Sequence, residues 1–258
     1  MKDAGESPVI GTINKNDSIK KHTLMKQEQS ERIQTSLLNA AEKKVLVWLA
    51  QRQPRWVTSD MLTAIGVMGA IVVALGYILS NNHIGWLWLA SAGFVINWYG
   101  DSLDGTLARV RGTQRPIYGF FLDHNIDGIT MAVMCIGAGL SSMLNLYIAM
   151  LVLALYLMLS ISVYINAHLK GEFKLTYAGM GPTEFRLIMV VVNTLFATVA
   201  PLRNWAVSFD VFGTPIALGA FDIAGLIIAV VLAVIYLNNF YSDAKGYAEV
   251  DPMKPYGN

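Results

Sequence analysis

The stretch GDSLDGTLARVRGTQRPIYGFFLDHNIDG, residues 100–128, decides how this chain is read. It sets four aspartates, Asp101, Asp104, Asp123 and Asp127, on either side of a turn-forming RGTQRP. Asp101 and Asp104 stand at i and i+3, Asp123 and Asp127 at i and i+4. On helices each pair therefore shares one face, with Cβ atoms about 5–6 Å apart. Apolar residues precede the first pair and follow the second, so both pairs fall at the ends of neighbouring apolar helices, and the two faces can meet. Four carboxylates gathered near low dielectric repel one another and titrate upward unless cations lie among them. Oxygen-only ligation suits Mg²⁺, Mn²⁺ or Ca²⁺ rather than zinc. Two such ions about 3.5–4 Å apart clamp a diphosphate for in-line displacement. Gly105 directly after Asp104, Ala108 one turn on, and Gly119 one turn before Asp123 leave room for a nucleotide against helix backbone. The competing reading is a solvated helix end whose acids pair with Arg109, Arg111 and Arg115.

The rest of the chain is apolar. Of 258 residues, 54% are hydrophobic and 14% charged, and the mean hydropathy is +0.46; an average soluble domain carries about 25% charged residues. The net charge of +1 gives no reason to expect a nucleic-acid partner. The single cysteine, Cys135, excludes an intrachain disulfide framework and a cysteine-based zinc site, and reads as a buried small apolar residue. Six apolar blocks, near 61–80, 84–103, 118–140, 145–168, 184–203 and 220–241, each have the length to cross a hydrocarbon core of about 30 Å. The expected fold is an all-α integral membrane protein with six transmembrane helices, preceded by a juxtamembrane amphipathic helix.

Residues 1–28 are polar with no apolar run resembling a signal-peptide core, and read as a disordered, uncleaved cytoplasmic tail. Over 29–55, Ile33, Leu37, Leu38, Ala41, Val45, Leu46, Trp48 and Leu49 recur at helical spacing between charges. This predicts an amphipathic interfacial helix; the alternative is a helix packed on the protein's own loops. Residues 56–241 form the six-helix catalytic region and 242–258 a cytoplasmic tail. Of nineteen Lys and Arg, all but Arg203 fall in the N-terminal segment, the two longer polar connections with their flanks, or the tail. That bias puts both termini and the acidic stretch on the cytoplasmic face of a multi-pass protein.

Asp101, Asp104, Gly105, Ala108, Arg109, Gly119, Asp123 and Asp127 fill every position of D-x2-DG-x2-AR, a spacer of nine, then G-x3-D-x3-D. This resembles the signature of the CDP-alcohol phosphotransferase (CDP-alcohol phosphatidyltransferase) family. The resemblance extends over about residues 55–241 and includes SDMLT at 59–63, which looks like the family's entry to its first span. It implies a membrane enzyme that transfers a substituted phosphate from a CDP-linked donor to a hydroxyl acceptor, releases CMP, and belongs to phospholipid biosynthesis. It also implies that Asp101, Asp104, Asp123 and Asp127 hold two divalent cations, Mg²⁺ or Mn²⁺, and that Asp127 is general base. Gly105, Ala108, Arg109 and Gly119 would line the CDP pocket, and a homodimer is common in the family.

His124, in LDHNID, resembles the DH-x2-D of the choline and ethanolamine phosphotransferase branch, where the histidine helps to deprotonate diacylglycerol. The chain departs from that branch at Phe120, where the branch has an acid. GPTEFR, residues 181–186, resembles the GPxE of the same branch and brings Glu184 and Arg186 to the membrane edge as candidate substrate contacts. A six-span chain instead looks like the enzymes that use CDP-diacylglycerol and a small polar alcohol, and that donor is the expectation. The choline or ethanolamine reaction on diacylglycerol is the alternative, and a cation transporter is the alternative from another class, since carboxylates in membranes also mark ion pathways.

Overall fold

The computed structural model describes residues 39–170, 181–211 and 214–253. The expected tail at 1–28, the first ten residues of the expected interfacial helix, most of the fourth-to-fifth connection and the last five residues lie outside them.

Helix α1 runs Asn39–Arg52, α2 Ser59–Leu79, α3 Leu87–Arg111, α4 Pro116–Gly139, α5 Leu146–Lys170, α6 Pro182–Thr198, the short α7 Ala200–Arg203, and α8 Ala220–Val250. Local chemistry sets the ends. Thr58 caps α2, its Oγ1 accepting from the Met61 N–H. Gly112, at φ 64°, stops α3 in the left-handed conformation that glycine adopts at least cost. Pro116 opens α4 and Pro182 opens α6, where a missing N–H costs nothing.

Among the described residues three helices, α2, α5 (Leu146–Leu169) and α8, are long and apolar enough to cross a membrane. The expected block at 184–203 is not one helix: it breaks at Val199 (φ −103°, ψ 87°), two residues before Pro201, leaving α6 with 17 residues. Beyond α7 the connection between the last two apolar blocks is an antiparallel hairpin, β1 Ala206–Val211 and β2 Thr214–Gly219, with Val207 opposite Leu218 and Phe209 opposite Ile216.

Helices α2 and α3 meet backbone to backbone. A Cβ on Gly69 would lie 2.3 Å from the Asn97 nitrogen, and one on Gly100 would lie 2.2 Å from the Gly66 nitrogen. Small residues at such crossings are how helices approach closely where lipid supplies no hydrophobic drive. Beside this seam the core holds Val73, Tyr77, Leu87, Ala90, Phe94, Phe196 and Phe221. Within it the Tyr77 hydroxyl donates to Asn193 Oδ1 (2.9 Å), so the buried polar groups of α2 and α6 satisfy each other. Cys135 is half-buried, not fully buried as expected.

Helix α1 buries Leu46 and Ala50 against Leu62, Leu103 and Leu107 and leaves Val45 and Trp48 exposed. Its Glu42 Oε1 accepts from Trp98 Nε1 (2.8 Å) and from Thr183 Oγ1 (2.6 Å). Helices α5 and α8 run parallel. Asp222 near the start of α8 accepts from the Asn145 N–H (2.6 Å) and from Gly219 N–H (2.9 Å), while Asn166 donates to Asp243 (2.5 Å) at the other end.

Candidate active site

The acidic stretch folds as its spacing predicts, with Asp101 and Asp104 in the last turns of α3 and Asp123 and Asp127 in the first turns of α4. Asp101, Asp123 and Asp127 each bring one carboxylate oxygen within 4.8 Å of the others. Asp104 stands outside that trio. Its Oδ2 accepts from Thr63 Oγ1 (2.6 Å), its Oδ1 accepts from the Gly105 N–H, and its backbone carbonyl accepts from Ser59 Oγ (2.9 Å). All four side chains are half-buried.

The positive charge beside the trio comes from α6. Arg186 Nη2 donates to Asp101 Oδ2 at 2.5 Å, and Nε donates to Asn97 Oδ1 at 2.9 Å. Asn97, 2% exposed, anchors its own amide on the Gly66 carbonyl (2.9 Å), so the guanidinium is held from behind. Nη1 of Arg186 is buried without a hydrogen-bond partner among the described residues, a costly arrangement that an anionic oxygen would relieve. Glu184, expected near substrate, accepts from the Gly181 N–H (2.9 Å) and so closes the first turn of its own helix.

His124 sits in the same turn as Asp123. Its Nδ1 lies 2.7 Å from the Phe120 carbonyl, to which it donates, and 3.9 Å from Asp123 Oδ2. The ring stacks on Phe120 (4.0 Å) and meets Tyr164 of α5 edge-on (4.8 Å). The residue that replaces the branch's acid is thus a packing partner of the histidine.

The expected nucleotide-pocket residues line the same end of the bundle. Gly105 and Ala108 are half-buried, Arg109 is exposed and donates to Thr106 Oγ1 (2.9 Å), and Gly119 has open space where a Cβ would stand. Arg111 donates to the carbonyls of Gln53 (3.0 Å), Pro54 (2.8 Å) and Val57, and Arg115 pairs with Asp60. Arg111 thus serves the chain between α1 and α2, and Arg115 the first turn of α2. Asn97 and Thr63 were not singled out in the sequence. Asn97 lies one helical turn before Asp101, which is the signal that would have found it, and Thr63 ends the SDMLT stretch.

Three half-buried carboxylates with oxygen-only donors fit hard divalent cations. A family profile, CDP-alcohol phosphatidyltransferase, matches residues 56–237. The chain belongs to that family. It is therefore a membrane protein of phospholipid biosynthesis and a transferase of substituted phosphate groups, from a family that uses divalent metals, CDP-linked donors and alcohol acceptors. Among curated relatives, it is 30% identical over 181 residues to the phosphatidylinositol phosphate synthase of Cutibacterium acnes, covering 67% of this chain and 83% of that one. It is 29% identical over 143 residues to the archaetidylinositol phosphate synthase of Pyrococcus horikoshii, covering 55% of this chain and 72% of that one.

Proposed function

We propose that the protein transfers the phosphatidyl group of CDP-diacylglycerol to the hydroxyl of a small polar alcohol that carries an anionic group, releasing CMP. The observation that carries this reading is Arg186, locked by Asn97 at the edge of the acid trio with a buried, unpartnered Nη1. That is a place for an acceptor's phosphate or acid. The two relatives named as inositol phosphate lipid synthases support the same acceptor class.

In this reading Asp101, Asp104, Asp123 and Asp127 would hold two divalent cations, Mg²⁺ or Mn²⁺, which would supply positive charge against the diphosphate. Asp127 takes the proton of the acceptor hydroxyl; the oxygen forms a bond to the phosphorus that carries the lipid; and the bond from that phosphorus to the CMP oxygen breaks. Gly105, Ala108, Arg109 and Gly119 line the nucleotide pocket. Arg186 orients the acceptor, and Glu184 acts through the start of α6 that presents Arg186. His124 would be catalytic only with diacylglycerol as acceptor.

The bundle spans the membrane six times, with α1 on the cytoplasmic surface, both termini and the acids cytoplasmic, and two copies pairing as a homodimer. The basic-residue bias supports this orientation.

The test is CMP release by purified protein in detergent with Mg²⁺ or Mn²⁺. CDP-diacylglycerol with inositol phosphate, glycerol phosphate, inositol or serine is compared with CDP-choline or CDP-ethanolamine plus diacylglycerol. Activity with a phosphorylated acceptor is expected. Activity only in the second mixture overturns the donor assignment and promotes His124.

A further inference from the structure

The β1–β2 hairpin has two unlike faces. Strand alternation and the register put Val207, Phe209, Ile216 and Leu218 on one side, and Ala206, Ser208, Asp210, Pro215 and Ala217 on the other. On that apolar side Ile216 and Leu218 are half-buried, while the β1 residues stand open among the described residues. Val207 and Phe209 are each 43% exposed, and Trp205, next along the same alternation, is 47% exposed. A lone two-stranded hairpin is at best marginally stable in water, so this face calls for an apolar partner.

Its place in the fold says which partner. Gly219, the last residue of β2, is also the N-cap of α8, one of the helices long and apolar enough to cross a membrane. The exposed side of α8 continues the apolar surface through Ile227, Val230 and Val234. The hairpin lies at the end away from the acids: Asp222 bonds Asn145 at the start of α5, whereas Tyr164, near the other end of α5, lies against His124. Nineteen residues of helix separate these two points, about 29 Å at 1.5 Å per residue, close to the hydrocarbon thickness of a bilayer of about 30 Å. The hairpin therefore stands one membrane thickness from the catalytic acids, at headgroup level. Trp205 at the junction and Arg203 just before it are residue types that favour that level.

We propose that the hairpin lies flat on the lipid surface opposite the active site, with the Val207, Phe209, Ile216 and Leu218 face against the acyl chains and the Ser208 and Asp210 face toward water. It is an interfacial anchor made of strands, and it fixes how deep the start of α8 sits. The inference rests on membrane embedding and is independent of the substrate.

The test uses full-length protein in phosphatidylcholine–phosphatidylglycerol nanodiscs, with Cys135→Ser as background. Single cysteines at 207, 208, 209, 210, 216 and 217 carry a nitroxide, and relaxation by oxygen is compared with relaxation by a water-soluble nickel chelate. The expected result is a period of two, with the oxygen-to-nickel ratio several-fold higher at 207, 209 and 216 than at 208, 210 and 217. Uniformly high nickel accessibility would put both faces in water and overturn the proposal. Low accessibility to both reagents at 207 and 209 would mean protein covers the face, and a second copy would replace the lipid. Three positions report on each face, so loss of one variant to misfolding leaves the result readable.

Discussion

Gly100→Ala tests whether the close seam between α2 and α3 is what places the acids. The new Cβ would stand 2.2 Å from the Gly66 nitrogen and 2.5 Å from the Leu62 carbonyl oxygen, both backbone atoms that no rotamer change can move aside. Restoring the 3.4 Å of ordinary contact requires the helices to part by about 1.2 Å at this point. Asp101 is the next residue, and Asp104, one turn on, is tied to α2 by Thr63 and Ser59. The separation therefore either stretches those bonds or drags Asp101 away from Asp123 and Asp127. Overpacking of this kind costs about 1–3 kcal/mol in stability, and misplacing reacting groups by about 1 Å costs roughly 100-fold in rate. The assay is CMP release at saturating substrates, with Gly246→Ala, whose Cβ would meet nothing within 4 Å, as control. Turnover by Gly100→Ala at the wild-type rate would refute the reasoning, because the acids would then tolerate the very displacement the contact demands.

Four further outcomes follow from the geometry. Asp127→Asn should lower kcat by about 10²- to 10⁴-fold, the usual worth of a general base, while gel-filtration elution stays as wild type; retained turnover would reassign the base. Arg186→Gln should raise the acceptor KM by about 10-fold or more, since a charge-assisted hydrogen bond contributes about 1.5–3 kcal/mol, with the donor KM little changed; a rise confined to the donor would move Arg186 to the nucleotide side. Asp222→Ala leaves the Asn145 and Gly219 N–H groups without their acceptor and should cost about 2–4 kcal/mol, seen as a lower thermal midpoint with unchanged turnover per folded molecule. Gly119→Ala, in open space, should leave that midpoint in place and weaken CMP binding by calorimetry; unchanged binding would exclude Gly119 from the pocket.

The parts of this molecule that were legible in the sequence are those where one helical period carries both packing and chemistry. Asp101 with Asp104, and Asp123 with Asp127, keep the spacing of one helix face, and the fold brings three of them together. Asp104 leaves the trio because Thr63 and the Gly105 N–H claim its oxygens, a competition that spacing along one helix does not reveal. Glu184 reads in the sequence as a substrate contact because it is an acid at the membrane edge; position three after Gly181 also lets it accept from the Gly181 N–H and close the first turn of α6. The hairpin escaped notice because its alternation, Val207-Ser208-Phe209-Asp210, lasts four residues between longer apolar runs. The break at Val199 was marked only by Pro201, inside a run apolar enough to pass for a continuous helix. Asn97 took its role from a partner 89 residues away.

Glu42 gives α1 a second meaning. One of its oxygens is held by Trp98 of α3 and by Thr183 in the first turn of α6, and Arg186 stands one turn beyond Thr183. Helix α1 and the start of α6 are thus joined at one carboxylate, one turn before Arg186. Because α1 is also seated on α2 and α3 through Leu46 and Ala50, a displacement of α1 would reach Thr183 and, one turn on, Arg186 at the edge of the acid trio.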